Sequence, residues 1–184
     1  MKKIFFLITT FFLTTNFANA TEWKIVPEKS KIEFKATQND SAVTGSFKKF
    51  SGKINFDPAQ LKNSKVVIDI DTTSVESSLS DATSTLKTVE WLSTKAFPQA
   101  NFSAEKFTKI SDKKFSADGK LTIKGKSIAV KFDFTLEEYS TTNARAVGTV
   151  VIKRNDFAIG APDPANAHGV KNEVAVSFVI NAIK

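Results

Sequence analysis

Asp118-Gly-Lys-Leu-Thr-Ile-Lys-Gly125-Lys-Ser-Ile-Ala-Val130-Lys-Phe-Asp-Phe-Thr-Leu136 decides the fold class of this chain. Leu121 and Ile123 alternate with Lys120, Thr122 and Lys124; beyond the turn, Ile128, Val130, Phe132, Phe134 and Leu136 alternate with Ala129, Lys131, Asp133 and Thr135. A period of two marks strands whose successive side chains point to opposite faces, and Gly125 supplies the turn between them. The hairpin therefore carries one apolar face, and that face requires cover.

The flanking sequence supplies further strands. On the N-terminal side Ile32, Phe34 and Ala36 share a face, as do Val66, Ile68 and Ile70, and then Ala100, Phe102 and Ala104. Ala42 to Phe56 changes parity between Val43, Gly45 and Phe47 and the later Phe50, Ile54 and Phe56, which predicts a bend or bulge near Lys49 to Gly52 of the kind barrel corners use. On the C-terminal side Ala144, Ala146, Gly148, Val150 and Ile152 share one face, and Val174, Val176, Phe178 and Ile180 form a last strand. Ser78 to Lys95 breaks the alternation. Leu79, Ala82, Leu86, Val89 and Leu92 fall three and four apart, which predicts one amphipathic helix with Ser80 and Asp81 at its start and Pro98 beyond its end. About eight strands, mostly joined as consecutive hairpins, predict an all-β antiparallel sandwich or barrel with one inserted helix to plug or lid an end. Eight strands closed on themselves leave an interior that side chains just fill, or that holds one small ligand.

Residues 1–20 stand apart from this pattern. Lys2 and Lys3 precede an apolar run from Ile4 to Leu13, and Ala18-Asn19-Ala20 has the small-x-small form of a cleavage site, so the segment reads as a secretory signal peptide with the mature protein beginning at Thr21. The run is too short for a membrane anchor. Residues 21–184 then make one domain, large enough for a proper core. The chain has no cysteine, so an exported domain must hold itself by packing alone, a state compatible with the periplasm. Without Lys2 and Lys3 the chain keeps 24 basic and 19 acidic residues, and only Arg145 and Arg154 are arginines. That spread-out lysine excess is unlike the clustered arginine surfaces of nucleic-acid readers, although it suits peripheral contact with an anionic membrane. Oligomeric state is left open by composition.

Catalytic signatures are sparse. His168 is the sole histidine, sits in a Pro-Asp-Pro-Ala-Asn-Ala-His-Gly loop, and has neither a nucleophile elbow nor a second histidine at metal-ligand spacing, so no catalytic residue, enzyme activity or metal site is expected. Asp69 and Asp71 share one face of a strand, but opposite to Val66, Ile68 and Ile70, and read as a solvated pair rather than an acid–base couple. Arg154-Asn-Asp-Phe-Ala-Ile-Gly160 reads first as a structural corner in which Arg154 pairs with Asp156, and second as a polar cavity rim made by Arg154, Asp156 and Phe157.

Six strings in order, Gly45 to Pro58, Asp71 to Val75, Leu86 to Leu92, Phe97 to Phe102, Asp118 to Gly125 and Arg154 to Gly160, resemble the YceI-like family over nearly the whole mature chain. The resemblance implies a lipocalin-like, eight-stranded antiparallel β-barrel, exported to the periplasm, whose elongated apolar cavity binds polyisoprenoid or other long amphipathic lipids. It also implies, through relatives coupled to a cytochrome b561 type membrane protein, an isoprenoid quinone as an alternative ligand. The chain departs from the family at Gln38, where many members have histidine, and at Ala158, where many have glycine. Given a barrel, the expected cavity lining is Phe34, Ile54, Phe56, Ile68, Phe102, Leu121, Ile123, Val130, Phe132, Phe134 and Phe178, with Trp91 on the helix near a mouth. No cofactor is expected beyond a bound isoprenoid lipid or quinone. The leading expectation is a carrier or sequestering protein for a long-chain lipid; the alternatives are an accessory that presents a quinone to a membrane cytochrome, and a ligand-free stress or adhesion protein with a packed barrel.

Overall fold

A computed structural model describes residues 22–160 and 169–184. Residues 1–20, where a signal peptide is expected, Thr21, and residues 161–168, which include His168 of the expected loop, lie outside the described residues. Eleven strands form one sheet: β1 (Glu22–Ile25), β2 (Lys31–Gln38), β3 (Ser41–Phe47), β4 (Phe50–Asn55), β5 (Lys65–Asp71), β6 (Val75–Ser77), β7 (Gln99–Lys109), β8 (Lys114–Ile123), β9 (Lys126–Tyr139), β10 (Asn143–Lys153) and β11 (Glu173–Ile183). Every pairing is antiparallel, in the order β1-β4-β5-β7-β8-β9-β10-β11, and β11 returns to pair β1, closing the barrel with eight strands. The three short strands extend this ring. β2 continues β1 along the same edge of β11, β3 precedes β4, and β6 follows β5, so three staves of the barrel are each broken once and bent.

The breaks are hydrogen-bonded, as buried backbone groups require. Ser30, between β1 and β2, donates its hydroxyl to Val26 O at 2.8 Å and accepts from Asn181 N at 2.9 Å. Between β3 and β4, Lys48 N and Lys49 N donate to Ser74 O and Ser74 Oγ. This corner accounts for the parity switch seen in the sequence between Phe47 and Phe50.

The Asp118–Leu136 hairpin forms as expected, with Ile123 opposite Lys126 and Lys114 opposite Thr135. Its two-residue turn has positive φ at both Lys124 (50°) and Gly125 (74°), the type I′ pattern whose twist matches that of the flanking strands. The apolar face is covered from the other side of the ring. Phe56, Phe107, Phe115 and Phe134 gather with Ala117 and Leu136 toward one end of the barrel, with edge-to-face contacts at 5.3–6.4 Å and Phe115 stacked on Phe134 at 5.6 Å. The other end is filled by Val75, Trp91, Leu92, Ile152, Phe157 and Ile159.

The inserted helix is shorter than the periodicity predicts. α1 spans Ser80–Leu86, with no side-chain cap at Leu79, and the chain then runs through turns to Phe97. The segment is rich in Ser and Thr, whose hydroxyls bond back to the main chain: Thr85 Oγ1 to Asp81 O and Thr88 Oγ1 to Thr85 O. Such local bonds compete with helix propagation. Leu92 N and Ser93 N then close on Leu86 O and Thr88 O, Ser93 takes a left-handed φ of 52°, and the chain folds inward instead of continuing as a helix.

Candidate functional site

The inner faces of the staves enclose a cavity of about 180 Å³. Its wall is built of aliphatic and aromatic side chains from β1, β2, β4, β5 and β7–β11, together with Phe56 just after β4, and its polar atoms are limited to those of Trp23 and Tyr139. Of the expected lining residues, Ile54, Phe56, Ile68, Phe102, Leu121, Val130, Phe132, Phe134 and Phe178 lie on this wall. The rings of Phe102, Phe132 and Phe178 follow one another across the middle of the wall, with centroids 5.3 and 5.6 Å apart. Phe34 and Ile123 pack instead against the plug at the far end. Trp91 is there too, 7% exposed, beyond the helix and inside the plug, so the expected helical position near a mouth is corrected.

The Arg154 string also lies at the plugged end. Arg154 is 2% exposed and Phe157 is 1% exposed, whereas Asp156 is exposed, so the string is a buried corner and not an open rim. The expected Arg154–Asp156 pair is replaced by bonds to main-chain carbonyls: Nε to Lys171 O at 3.2 Å, Nη1 to Ile159 O at 2.8 Å and Nη2 to Val170 O at 2.9 Å. A planar guanidinium can satisfy several divergent acceptors at once, and three adjacent turns need that here. Burial pulls its pKa down from the usual arginine value. Lys124, in the hairpin turn, adds a second clasp by donating Nζ to Glu90 O at 3.0 Å and Ala158 O at 2.8 Å, and burial lowers its pKa as well.

At the opposite end the lining reaches the protein surface. Tyr139 is 38% exposed and is the most exposed of the lining residues. Its ring stands 5.4 Å from that of Trp23, whose Nε1 donates to Phe56 O at 3.0 Å, and Lys184 Nζ sits 4.8 Å above the Trp23 ring. Burial, followed by the nearby Asp57 carboxylate, raises the Tyr139 pKa. Simple alternation does not find Tyr139. Its parity is opposite to that of Leu136, and only the register shift across from Arg145 and Ala146 turns it inward. Phe107 enters the lumen in the same way, through the irregularity between Ala104 and Lys106. Trp23, Val66, Ile70 and Ile180 also line the wall, on strands whose pattern was legible but whose closeness to the cavity was not.

Asp69 and Asp71 do not form an acid–base couple. Asp69 accepts from Asn101 Nδ2 at 2.7 Å, and Asp71 accepts from Thr73 N and Oγ1, capping the turn after β5. Among the described residues no group of three histidine, cysteine or acidic side chains is placed to hold a metal ion.

An eight-stranded antiparallel barrel closed at one end around an apolar lumen defines this molecule as a lipocalin-like barrel. The chain belongs to the YceI-like domain family, whose model matches residues 23–182. It is 27% identical over 172 residues to a UPF0312 protein of Pseudomonas putida, covering 88% of this chain and 90% of the relative. Among solved structures it is similar to BcnA of Burkholderia cenocepacia, with a TM-score of 0.80 and 28% identity over 85% of this chain and 98% of that one. A polyisoprenoid binding domain from Saccharophagus degradans shares the fold at a TM-score of 0.70 and 14% identity, covering 88% and 97% of the two chains.

Proposed function

We propose that this protein is a periplasmic, non-enzymatic carrier or sequestering protein that holds the hydrocarbon tail of an isoprenoid or other amphipathic lipid in the barrel. The observation that carries the reading is the apolar cavity itself. At about 24 cal/mol per Å³, a space of 180 Å³ that side chains leave unfilled forgoes about 4 kcal/mol of stability unless a guest fills it, a large share of the 5–15 kcal/mol that typically holds a domain together. A chain with no use for the space would gain by filling it. Apolar cavities of about 150 Å³ stay dry and bind benzene-sized guests, so the lumen takes the end of a tail while the polar head stays beside Tyr139. Each buried methylene contributes about 0.8 kcal/mol, which gives useful affinity with few polar contacts. The family, and the polyisoprenoid-binding neighbour of the same fold, support an isoprenoid tail. The leader-like residues 1–20 support export.

Native mass spectrometry of protein purified from its own source, followed by organic extraction and lipid identification, tests this. A bound lipid is expected, and its head group separates a quinone from a carrier lipid. Phe132→Asp, which sets a carboxylate on the wall, should abolish retention while the barrel still gives a β spectrum. A homogeneous ligand-free mass for the wild type, or an unchanged lipid yield in a stable Phe132→Asp protein, would overturn the reading. Amino-terminal sequencing of the exported form should begin at Thr21.

A further inference from the structure

The barrel has inward-facing glycines of two kinds. At Gly45, Gly52 and Gly119 a methyl group in place of the hydrogen would meet a main-chain carbonyl at 2.4–2.6 Å: Glu76 O, Val67 O and Ser103 O. Close approach of the main chain demands glycine there. Gly148 is different. It lies in β10 with an ordinary strand backbone, directly across from Phe178 on one side and Phe134 on the other. The three atoms nearest to an added methyl are all side-chain atoms: Phe178 Cζ at 2.5 Å, Phe178 Cε1 at 2.8 Å and Phe134 Cβ at 3.1 Å. The missing side chain at 148 is the space in which the Phe178 ring lies.

We propose that Gly148 is a positioning residue that sets the bore of the lumen, by letting the Phe178 ring lie back against the wall so that a single hydrocarbon chain can pass Phe132. The inference rests on the lipid-tail reading above and assigns its length selectivity to one position. Gly148 shares its face with Ala144 and Ala146, which line the cavity, so β10 presents its smallest residues where the rings of β9 and β11 need room. A methyl group at 148 cannot coexist with the present Phe178 rotamer, since contacts of 2.5–2.8 Å lie far inside van der Waals separation. The ring is the far end of a flexible side chain, so it turns rather than the strand moving. The direction open to it is the lumen, where Phe132 stands 5.6 Å away. The wall residues beyond this point, Leu121, Val130, Val150 and Val176, are then cut off from the Tyr139 end.

The test uses saturated fatty acids from octanoate to stearate, competing with a fluorescent polyene fatty acid, on wild type, Gly148→Ala, Phe178→Leu and the double variant. Thr149→Ala, exposed on the same strand, serves as a control. Wild-type affinity should rise about fourfold per methylene until the lumen is full. In Gly148→Ala the rise should stop at a shorter chain. Phe178→Leu should extend it, and the double variant should recover the wild-type limit, a pattern that a loss of stability alone does not produce. Should Gly148→Ala fail to fold, the shift of the limit in Phe178→Leu still decides. A limit in Gly148→Ala that matches the wild type, or an unshifted limit in Phe178→Leu, overturns the inference while leaving lipid binding intact. Wild-type protein that binds none of the series overturns the lipid reading, and the inference with it.

Discussion

Replacing Arg154 with Met should destabilise the protein by about 3–5 kcal/mol. The guanidinium is 2% exposed and donates to three main-chain carbonyls, those of Ile159, Val170 and Lys171, at 2.8–3.2 Å. Methionine matches the length without offering a donor, so those carbonyls lose their partner inside the plugged end of the barrel. A buried acceptor left without a donor costs about 1–3 kcal/mol. Against the sum stands the relief of no longer burying a charge, the same desolvation that lowers the Arg154 pKa. Three such losses, less that relief, leave a net of about 3–5 kcal/mol. In a domain of this size each kcal/mol lowers the melting temperature by about 2–4 °C, so a fall of about 10 °C is expected. Urea denaturation followed by tryptophan fluorescence reads the free energy, and hydrogen exchange should show lost protection at the amides of Ile159 and Gly160. A loss below about 1 kcal/mol would refute the reasoning, because it would mean that water reaches these carbonyls as soon as the arginine is gone.

Two further outcomes follow from single positions. Ala158 is held at φ 52° and ψ 38°, a left-handed conformation that disfavours a side chain, so Ala158→Gly should stabilise by about 0.5–1 kcal/mol in the same urea assay, net of the extra freedom glycine has when unfolded. Asp71 is held below the usual carboxylate value of 3.8, first by the Thr73 hydroxyl, against a smaller opposing effect of burial, and then by the Thr73 amide. A lowered folded pKa contributes stability that is present above the unfolded value and lost as pH falls through the folded one, so wild type should outlast Asp71→Asn at neutral pH and the difference should close below about pH 4. Denaturation midpoints at both pH values check this, and an acid limb of the same steepness in both proteins would contradict it.

Much of the fold was legible because strand geometry is local. Residues 121–136 alternate so regularly that their inward set, Leu121, Ile128, Val130, Phe132, Phe134 and Leu136, could be named without coordinates. The corner between β3 and β4 showed itself as a parity switch. The helix was overestimated because apolar spacing over Leu79 to Leu92 says nothing about competition from the hydroxyls of Thr83, Thr85 and Thr88, each of which is bonded to nearby main chain. Tyr139 and Phe107 escaped notice because a single extra residue opposite the partner strand turns the following side chain inward, and such a bulge leaves little trace in composition.

Sequence by itself determined which side of each strand is apolar, where the chain turns, and that the parts make an antiparallel sandwich or barrel, since each of these depends on a two-residue repeat or on a glycine at a turn; closure into a ring was implied only by the family resemblance. Only the tertiary structure decided what lies against the apolar faces. Whether Phe132 meets protein or empty space depends on how far apart eight staves stand once β11 has closed on β1, and on where the rings of Phe102 and Phe178 come to rest. A cavity is the difference between the volume that closure encloses and the volume that side chains occupy. Both quantities are sums over residues far apart in the chain, so no local pattern contains their difference.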